Sequence, residues 1–297
     1  MKSDTIKEIC IVGGAGFLGK HLLQTYQEES VTVIDIIDES EIETWILKSC
    51  NYFNYDLSGF DILKEKSFDI IIFSAGNASV SNSLKNPIFD LNTNTSLLLE
   101  LLEIIKINPT KVVFFSSAAC LGDSHHEING PLSPYGVSKL ASEEYLRVYN
   151  RLYSIPVIIC RIFSIFGEYN TKQMIYDTVK RFEKNKDEII IYNPQSVRDF
   201  IYVKEVAEII RYLIHNAEFN CEVYDVGTGN SISVEEMTKK IMKLMNVDGQ
   251  VKYEIIENAG DPIKQVSNIS SLISLGYEFK FSTDKGIQRT LDWIIRT

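Results

Sequence analysis

The sequence lacks the features that mark secreted, membrane-spanning and nucleic-acid-binding proteins. Its 297 residues include five cysteines without a CxxC pair, which favours reduced thiols over a disulfide framework. No apolar run reaches the roughly 18 residues of a transmembrane helix, and the first strand-like run follows a start that contains no signal-peptide pattern. The formal net charge of −10 provides no basic surface for nucleic acid. We therefore expect a cytoplasmic protein that binds neither membranes nor nucleic acids.

Short apolar runs of strand length alternate with helical patterns over roughly the first 160 residues. The runs are EICIVG, SVTVID, FDIIIF, KVVFFSS and IPVIICRIF. They are apolar along their whole length, as in strands that helices cover on both faces. This alternation predicts an α/β fold built on a Rossmann-type doubly wound parallel sheet.

The alternation loosens after Phe166, where we expect a smaller lobe for the substrate. Helices are predicted near 172–185, 203–216 and 283–296, and no linker or repeat separates them from the first part. The predicted Rossmann domain comprises 1–165 plus about 198–227. The predicted C-terminal lobe is interleaved with it and comprises about 166–197 plus 228–297.

A glycine-rich loop, IVGGAGFLG, joins the first predicted strand to the first predicted helix. Its glycines are spaced G-x-x-G-x-x-G, which allows a tight turn and brings backbone N–H groups and the helix N-terminus close to a pyrophosphate. A glycine pattern alone is weak evidence, since a tight turn would use glycine anyway. The residues expected to contact a dinucleotide here are Gly13, Gly16, Phe17, Leu18 and Gly19.

Asp35 ends the second predicted strand, in VTVID. A carboxylate at this place can accept hydrogen bonds from both hydroxyls of an adenosine ribose and repels a 2′-phosphate. Asp35 therefore favours NAD over NADP, although a strand-end turn former is the alternative. Further cofactor contacts are predicted after the third and fourth strands, at Asp56, Leu57, Ala75 and Gly76.

Tyr135 and Lys139 lie four residues apart in SPYGVSK, at the start of a predicted helix. Residues at this spacing share one helix face. A free tyrosine has a pKa of about 10, and a close ammonium lowers that value by favouring the phenolate. Ser117, at the end of the fifth predicted strand, can donate a hydrogen bond to the same substrate oxygen. The alternative is that Tyr135 and Lys139 are an ordinary exposed pair.

Several segments occur in an order typical of one enzyme family. The glycine loop, FSSAACLG and SPYGVSK are followed by RIFSIFG, RDFIYVKEVAE, YDVGTGNSISVEEM and a final SLGYEF. Together they resemble the extended short-chain dehydrogenase/reductase family, and within it the NAD-dependent nucleotide-sugar epimerase/dehydratase branch. The resemblance covers nearly the whole chain.

The resemblance implies roles for matching residues. Tyr135 would be the general acid/base on a sugar hydroxyl, Lys139 would tune it and hold the nicotinamide ribose, and Ser117 would orient the reacting oxygen. Asn92 matches an asparagine that supports this network. Arg198 matches an arginine that clamps the nucleotide diphosphate, with a salt bridge to Asp199 or another carboxylate as the alternative. The implied substrate-binding residues are Ser117, Ala118, Ser164, Arg198 and Asp261.

Departures from the family pattern leave the substrate open. Ser164, Leu121 and Asn258 stand where relatives often have asparagine, tyrosine and arginine. Ala118 and Ala119 occupy the positions of the Asp-Glu pair that a 4,6-dehydratase uses, which disfavours elimination of water. We expect an NAD-dependent nucleotide-sugar 4-epimerase.

Three other functions remain as alternatives: a 4-keto-sugar reductase, then a 4,6-dehydratase or a catalytically silent NAD-binding protein. A metal site is not expected, since the adjacent histidines of HHE (125–127) lack ligand spacing. The helices near 92–106 and 137–153 commonly form a dimer interface in relatives, so a homodimer is expected, although LLLELLEII in the first of them could equally be ordinary core.

Overall fold

The computed structural model describes residues 6–256 and 260–296. The strands within these ranges are β1 (Glu8–Val12), β2 (Ser30–Asp35), β3 (Asn51–Asn54), β4 (Ile70–Phe73), β5 (Lys111–Ser117), β6 (Gly122–Asp123), β7 (Ile128–Asn129), β8 (Val157–Ile162), β9 (Ser164–Phe166), β10 (Glu188–Tyr192), β11 (Val197–Arg198), β12 (Phe200–Tyr202), β13 (Asn220–Val226), β14 (Ile232–Ser233) and β15 (Gln250–Glu254).

The α-helices within the same ranges are α1 (Phe17–Thr25), α2 (Thr44–Ser49), α3 (Tyr55–Ser58), α4 (Ile62–Glu65), α5 (Val80–Lys85), α6 (Pro87–Leu91), α7 (Leu97–Ile105), α8 (Pro134–Tyr153), α9 (Gln173–Lys184), α10 (Val203–Asn216), α11 (Val234–Met245), α12 (Ser270–Ser274) and α13 (Thr283–Arg296). A π-helical turn, Asn92–Ser96, joins α6 to α7. Among the described residues, no helix has both the length and the apolar character needed to cross a membrane.

Seven strands form one parallel sheet in the order β13-β8-β5-β4-β1-β2-β3. The predicted Rossmann-type parallel sheet is confirmed. The direction of winding reverses between β1 and β4, which are neighbours in the sheet although they are far apart in sequence. At such a reversal the connections leave a crevice at the carboxyl ends of the strands, and ligands of doubly wound sheets bind there.

Strand β1 shows why the predicted strands are apolar throughout. Ile9 and Ile11 pack into one apolar cluster with α1 and α10, and Cys10 and Val12 pack into a second cluster with α7 and α8. Successive side chains of a strand point to opposite faces of the sheet. When helices cover both faces, every side chain of the strand meets an apolar layer, which favours apolar residues at all positions.

The C-terminal part has its own apolar cluster, in which α9, α11 and α13 pack around β12. Phe200 and Tyr202 of β12 contribute to it, together with Phe166 at the end of β9. These residues come from both of the predicted domains. The boundary between the Rossmann domain and the lobe stays a prediction.

Glu143 on α8 forms a buried ion pair beneath the sheet's carboxyl edge. Its carboxylate accepts hydrogen bonds from the Arg161 Nε and Nη2 atoms at 2.8 and 2.7 Å, and from Ser116 Oγ at 2.6 Å. Ser116 lies on β5 and Arg161 on β8, so one side chain joins the helix to two strands. The Glu143 side chain is completely buried, so breaking these bonds lowers the free energy of unfolding more than breaking an exposed pair would.

We predict that Glu143→Ala destabilises the protein by about 3 kcal/mol, because it leaves a largely buried guanidinium without its partner. Glu144→Ala is the matched control, since the neighbouring Glu144 side chain is 65% exposed and bonds the partly exposed Arg147. The control should cost less than about 0.5 kcal/mol. Urea denaturation of both variants measures the difference, and equal losses would contradict the role of the buried pair.

Candidate active site

The first turn of α8 brings Tyr135 and Lys139 into the protein interior. Ser133 caps the helix by accepting a hydrogen bond from Gly136 N at 3.2 Å, and Pro134 occupies the first helical position, which suits its fixed φ. The Tyr135 side chain and Lys139 remain only 9% and 5% exposed. The alternative of an ordinary exposed pair is therefore wrong.

Lys139 and Ser117 lie at the carboxyl end of β5, on the same cleft as Tyr135. Lys139 Nζ donates to the Phe115 carbonyl at 2.9 Å and lies 5.0 Å from the centroid of the Phe114 ring. Ser117 Oγ accepts from Ala119 N at 3.1 Å and hydrogen-bonds the Tyr135 side chain. The three side chains predicted to form the catalytic set thus lie together.

Burial dominates the ionisation of the two titratable groups. It raises the pKa of Tyr135 to about 12, against the opposing hydrogen bond from Ser117. It lowers the pKa of Lys139 to about 8. The predicted lowering of the tyrosine pKa by the lysine is wrong for the protein as described, because burial of the phenol is the largest influence on that pKa and raises it. At neutral pH the site therefore holds a neutral phenol beside an amine that is mostly protonated.

The glycine loop forms a backbone cradle between β1 and α1. Gly13 has φ +85°, and a Cβ there would lie 2.6 Å from Ala75 N, so this position requires glycine. Gly16 caps α1 at the end of the loop, and a Cβ on Gly19 would overlap the carbonyl groups of Gly13 and Gly14. Phe17 and Leu18 form the first turn of α1 and line the same cleft.

Asp35 lies at the end of β2, beside this cradle. Its Oδ2 accepts from Ala15 N at 2.9 Å and its Oδ1 from Ile37 N at 3.3 Å, which holds the carboxylate next to the glycine loop. On the other side, Ala75 and Gly76 follow β4 and line the cleft. The cradle, which a Cβ at Gly13 would fill, and the acidic side chain at its edge together fit an NAD dinucleotide.

Two further predicted contacts are less well placed. Asp56 is exposed in the short helix α3, after β3. The side chain of Leu57 lies outside the described part of the structure. Asn258, one of the departures from the family pattern, also lies outside it, and Leu121 is exposed rather than part of the cleft.

The asparagine that supports the site is Asn94, and the prediction of Asn92 is wrong. Asn92 is exposed, whereas Asn94 is fully buried and directs its Oδ1 toward Gly76, whose added Cβ it would overlap. This Oδ1 is buried and has no hydrogen-bond partner in the structure. A buried acceptor without a partner is rare, and here it faces the cofactor side of the cleft.

The cleft continues from the glycine loop past the triad to the C-terminal part, with a volume of about 690 Å³. Ala118, Ser164, Arg198 and Asp261 all line it. Arg198 Nη2 donates to Asp261 Oδ1 at 2.9 Å, while its Nη1 donates to the carbonyls of Val197 and Ile263. Arg198 is therefore paired with a carboxylate of the cleft itself.

Asp199, the other proposed partner of Arg198, has a structural role. It is fully buried and accepts hydrogen bonds from the backbone N–H groups of Thr228 and Gly229 and from Ser267 Oγ. These bonds tie the loop after β13 to the segment before α12.

Gln265 is a cleft residue that the sequence analysis missed. Its Nε2 donates to the carbonyl oxygens of Ala118 and Gly122, at 2.9 and 3.2 Å. It thereby fixes the segment after Asp261 against the turn that follows β5. A single glutamine 147 residues from its partner leaves no local pattern in the sequence.

Comparison with known proteins identifies the family. A family model described as the NAD dependent epimerase/dehydratase family matches residues 9–227. The chain belongs to this family. It is an NAD-dependent enzyme of the extended short-chain dehydrogenase/reductase type, as the motifs predicted.

Relatives with this fold match the chain over almost its entire length. A Methanocaldococcus jannaschii protein with the provisional name UDP-glucose 4-epimerase is 30% identical, over 96% of this chain and 98% of its own. The solved UDP-N-acetylglucosamine 4-epimerase of Methanobrevibacter ruminantium, in complex with UDP-N-acetylmuramic acid, is 25% identical with a TM-score of 0.88, covering 98% of this chain and 99% of that one. The NAD complex of Thermus thermophilus UDP-glucose 4-epimerase, at 24% identity, shares the fold with a TM-score of 0.85, covering 97% and 98%.

We predict that Gly13→Ala weakens NAD binding at least about tenfold, because the new methyl group would push the loop away from Ala75. Gly130→Ala is the matched control, since Gly130 has φ +103° but nothing within 4 Å of an added Cβ. Both variants carry the cost of a left-handed backbone, and only the first carries the clash. Calorimetric titration with NAD measures the affinities, and an equal loss in both variants would contradict the cradle.

Proposed function

We propose that the protein is an NAD-dependent nucleotide-sugar 4-epimerase. The observation that carries the proposal is the meeting of Ser117, Tyr135 and Lys139 in the same cleft as the glycine cradle. The relatives whose names include a UDP-sugar 4-epimerase activity support it. The nucleotide and the sugar stay open.

The reaction removes a hydrogen from C4 of the sugar and its hydroxyl proton, and then returns both with inversion at C4. Bound NAD would supply the acceptor and the donor of the hydride. As a phenolate, Tyr135 takes the hydroxyl proton and becomes a phenol, and it gives the same proton back in the second half of the reaction, while the Ser117 hydroxyl hydrogen-bonds the C4 oxygen. Because burial holds the pKa of Tyr135 at about 12, the proton transfer needs a nearby positive charge. The Lys139 ammonium is the protein's own source of that charge.

Arg198 is the proposed partner of the substrate diphosphate. Its planar guanidinium presents several N–H donors, which suit phosphate oxygens. In the structure one of these donors is occupied by Asp261. We propose that the diphosphate takes this place, with Ser164 and Ala118 nearer the sugar.

The cleft favours epimerisation over dehydration. Removal of water across C5 and C6 needs an additional acid and base beside the sugar. Ala118 and Ala119 line the cleft where a dehydratase would carry those groups, and a methyl group moves no proton.

We also propose that the protein is a homodimer. Helices α6 and α8 pack against each other and leave apolar side chains on their outer surface: Ile88, Phe89 and Leu91 on α6, and Val137, Tyr145 and Leu152 on α8. Val137, Tyr145 and Leu152 are spaced seven or eight residues apart, so they form one stripe along α8. A second copy of the chain, presenting the same stripe, would cover it in a two-fold arrangement. The cytoplasmic location stays a prediction.

Tyr135→Phe should lower the turnover of a nucleotide sugar by about 10²–10⁴-fold, since the variant has no group to move the proton. Its affinity for NAD should change little. Tyr145→Phe is the control, because Tyr145 is on the outer face of the same helix. The assay is a panel of UDP-, dTDP-, GDP- and CDP-sugars followed by NMR without added reduced cofactor. Stoichiometric consumption of NADPH with a 4-keto sugar, and no epimerisation, would favour the reductase instead.

Val137→Glu should convert the dimer into a monomer, because it places a charge on the apolar stripe that the second copy would cover. Ile295→Glu is the control, since Ile295 has a similar exposure, 59% against 55%, but lies on α13. Light scattering coupled to size-exclusion chromatography gives the mass of each variant. A monomeric wild-type protein would refute the dimer without affecting the proposed reaction.

A further inference from the structure

A polar seam joins α8 to the helical run formed by α6, the π-helical turn and α7. Thr95 Oγ1 donates to the Ser138 carbonyl at 2.9 Å, and Ser142 Oγ donates to the Asn94 carbonyl at 3.2 Å. At the centre of the seam is Asp90, whose side chain is completely buried. A buried carboxylate is costly unless it is paired, so its surroundings are informative.

The hydrogen-bond donors around Asp90 are neutral. Its Oδ1 accepts from Asn77 Nδ2 at 2.7 Å and from Asn94 Nδ2 at 3.0 Å, and its Oδ2 accepts from Ser138 Oγ at 2.7 Å. Amide nitrogens only donate, so Oδ1 carries no proton. These contacts hold the carboxyl group firmly and bring no positive charge to it at short range.

The Ser138 hydroxyl fixes the state of the other oxygen. Asn94 Nδ2 also donates to Ser138 Oγ, at 3.1 Å, which directs the single hydroxyl hydrogen of Ser138 toward an acceptor. Asp90 Oδ2 is the nearer acceptor at 2.7 Å, with the Tyr135 carbonyl at 3.0 Å. With Ser138 as the donor, Asp90 accepts all three of its hydrogen bonds, and the residue that donates to its Oδ2 directly precedes Lys139.

Lys139 lies beside this network, because a Cβ added to Gly76 would lie 2.3 Å from Asn94 Oδ1 and 3.4 Å from Lys139 Nζ, and Asn94 is the amide that donates to Asp90. From β5 it meets the Phe115 carbonyl and the Phe114 ring, both neutral. The charges that act on it are those of Asp90 on α6 and Cys120 after β5. Burial raises the pKa of the Cys120 thiol to about 11, so this thiol is neutral below that pH, which leaves the carboxyl group of Asp90.

We propose that Asp90 is a positioning residue of the active site, a buried counter-charge that keeps Lys139 in its ammonium form and fixes the first turn of α8 through Ser138. The part of this inference that concerns turnover rests on the proposed epimerase function. The part that concerns the charge of Lys139 does not.

The sign of the effect follows from the charge of Asp90. The anion raises the pKa of Lys139, against the larger lowering by burial, and it also raises the pKa of Tyr135. Removing the charge therefore lowers both values. The ammonium is then lost at a lower pH, and the high-pH limb of the activity profile moves in the same direction.

The first test compares the pH dependence of kcat/KM in the wild type, Asp90→Asn and Ser138→Ala. Asp90→Asn has nearly the same shape without the charge, and it should move the high-pH limb down by roughly one unit. Ser138→Ala removes one of the hydrogen bonds but retains the charge, and its limb should not move. A purely structural role of Asp90 would lower the rate in both variants and leave both limbs in place, which would overturn the proposal.

The second test does not depend on activity. Lysine labelled with ¹³C at Cε is titrated by NMR, with Lys139 assigned from the signal lost in Lys139→Met. The Lys139 midpoint should fall by roughly one pH unit in Asp90→Asn. If Asp90→Asn does not fold, Asp90→Ser removes the same charge and keeps a hydroxyl for Asn94. An unchanged midpoint in the folded variant would refute the proposal, even if the protein proves to have another reaction.

Discussion

The site depends on the buried contact of helix α8 with the sheet and with the α6–α7 run. Apolar packing alone would allow small rotations of a helix, since it has no directional preference. The contact here is largely polar, with Ser138, Ser142 and Glu143 all buried and all hydrogen-bonded. Directional bonds to β5, β8 and α6 fix both the height and the rotation of α8. Tyr135 and Lys139 lie on the same helix, so the same bonds fix their positions in the cleft.

Burial of this helix has an electrostatic consequence. A phenol that is harder to ionise and an amine that is easier to neutralise are both unfavourable starting points for proton transfer through a phenolate. In the proposed arrangement, the Asp90 carboxylate offsets part of the lowering of the Lys139 pKa by burial, while the Tyr135 phenol stays protonated. The Tyr135 side chain is therefore held ready as a donor, and its role as a base depends on positive charge near the sugar.

The fold and the core of the site could be predicted because their patterns are local. Each apolar strand, the glycine loop and the spacing of Tyr135 and Lys139 lie within a few neighbouring residues. Asn92 and Asn94 lie only two residues apart, and the pattern of a regular α-helix does not show which of them faces the site. The π-helical turn shifts the inward-facing positions, so that Asn94 and Thr95 are both buried. The pKa of Tyr135 depends on tertiary burial, which the spacing of residues in the sequence does not reveal. The position of Gln265 depends on a contact across 147 residues, which no local pattern reveals.

The bond between Arg198 and Asp261 makes anion binding a competition. Asp261 is held near the guanidinium by its own chain, since the backbone N–H groups of Ile263 and Lys264 are bonded to Asp123. Its effective concentration at Arg198 is therefore high, as for any tethered partner. A free phosphate or chloride ion has no second attachment in the cleft, so it competes with Asp261 less well than a tethered ligand does. A ligand anchored elsewhere in the cleft is itself tethered once it is bound, and it competes on equal terms. The Arg198–Asp261 bond therefore favours a ligand with several contacts in the cleft over a small free anion.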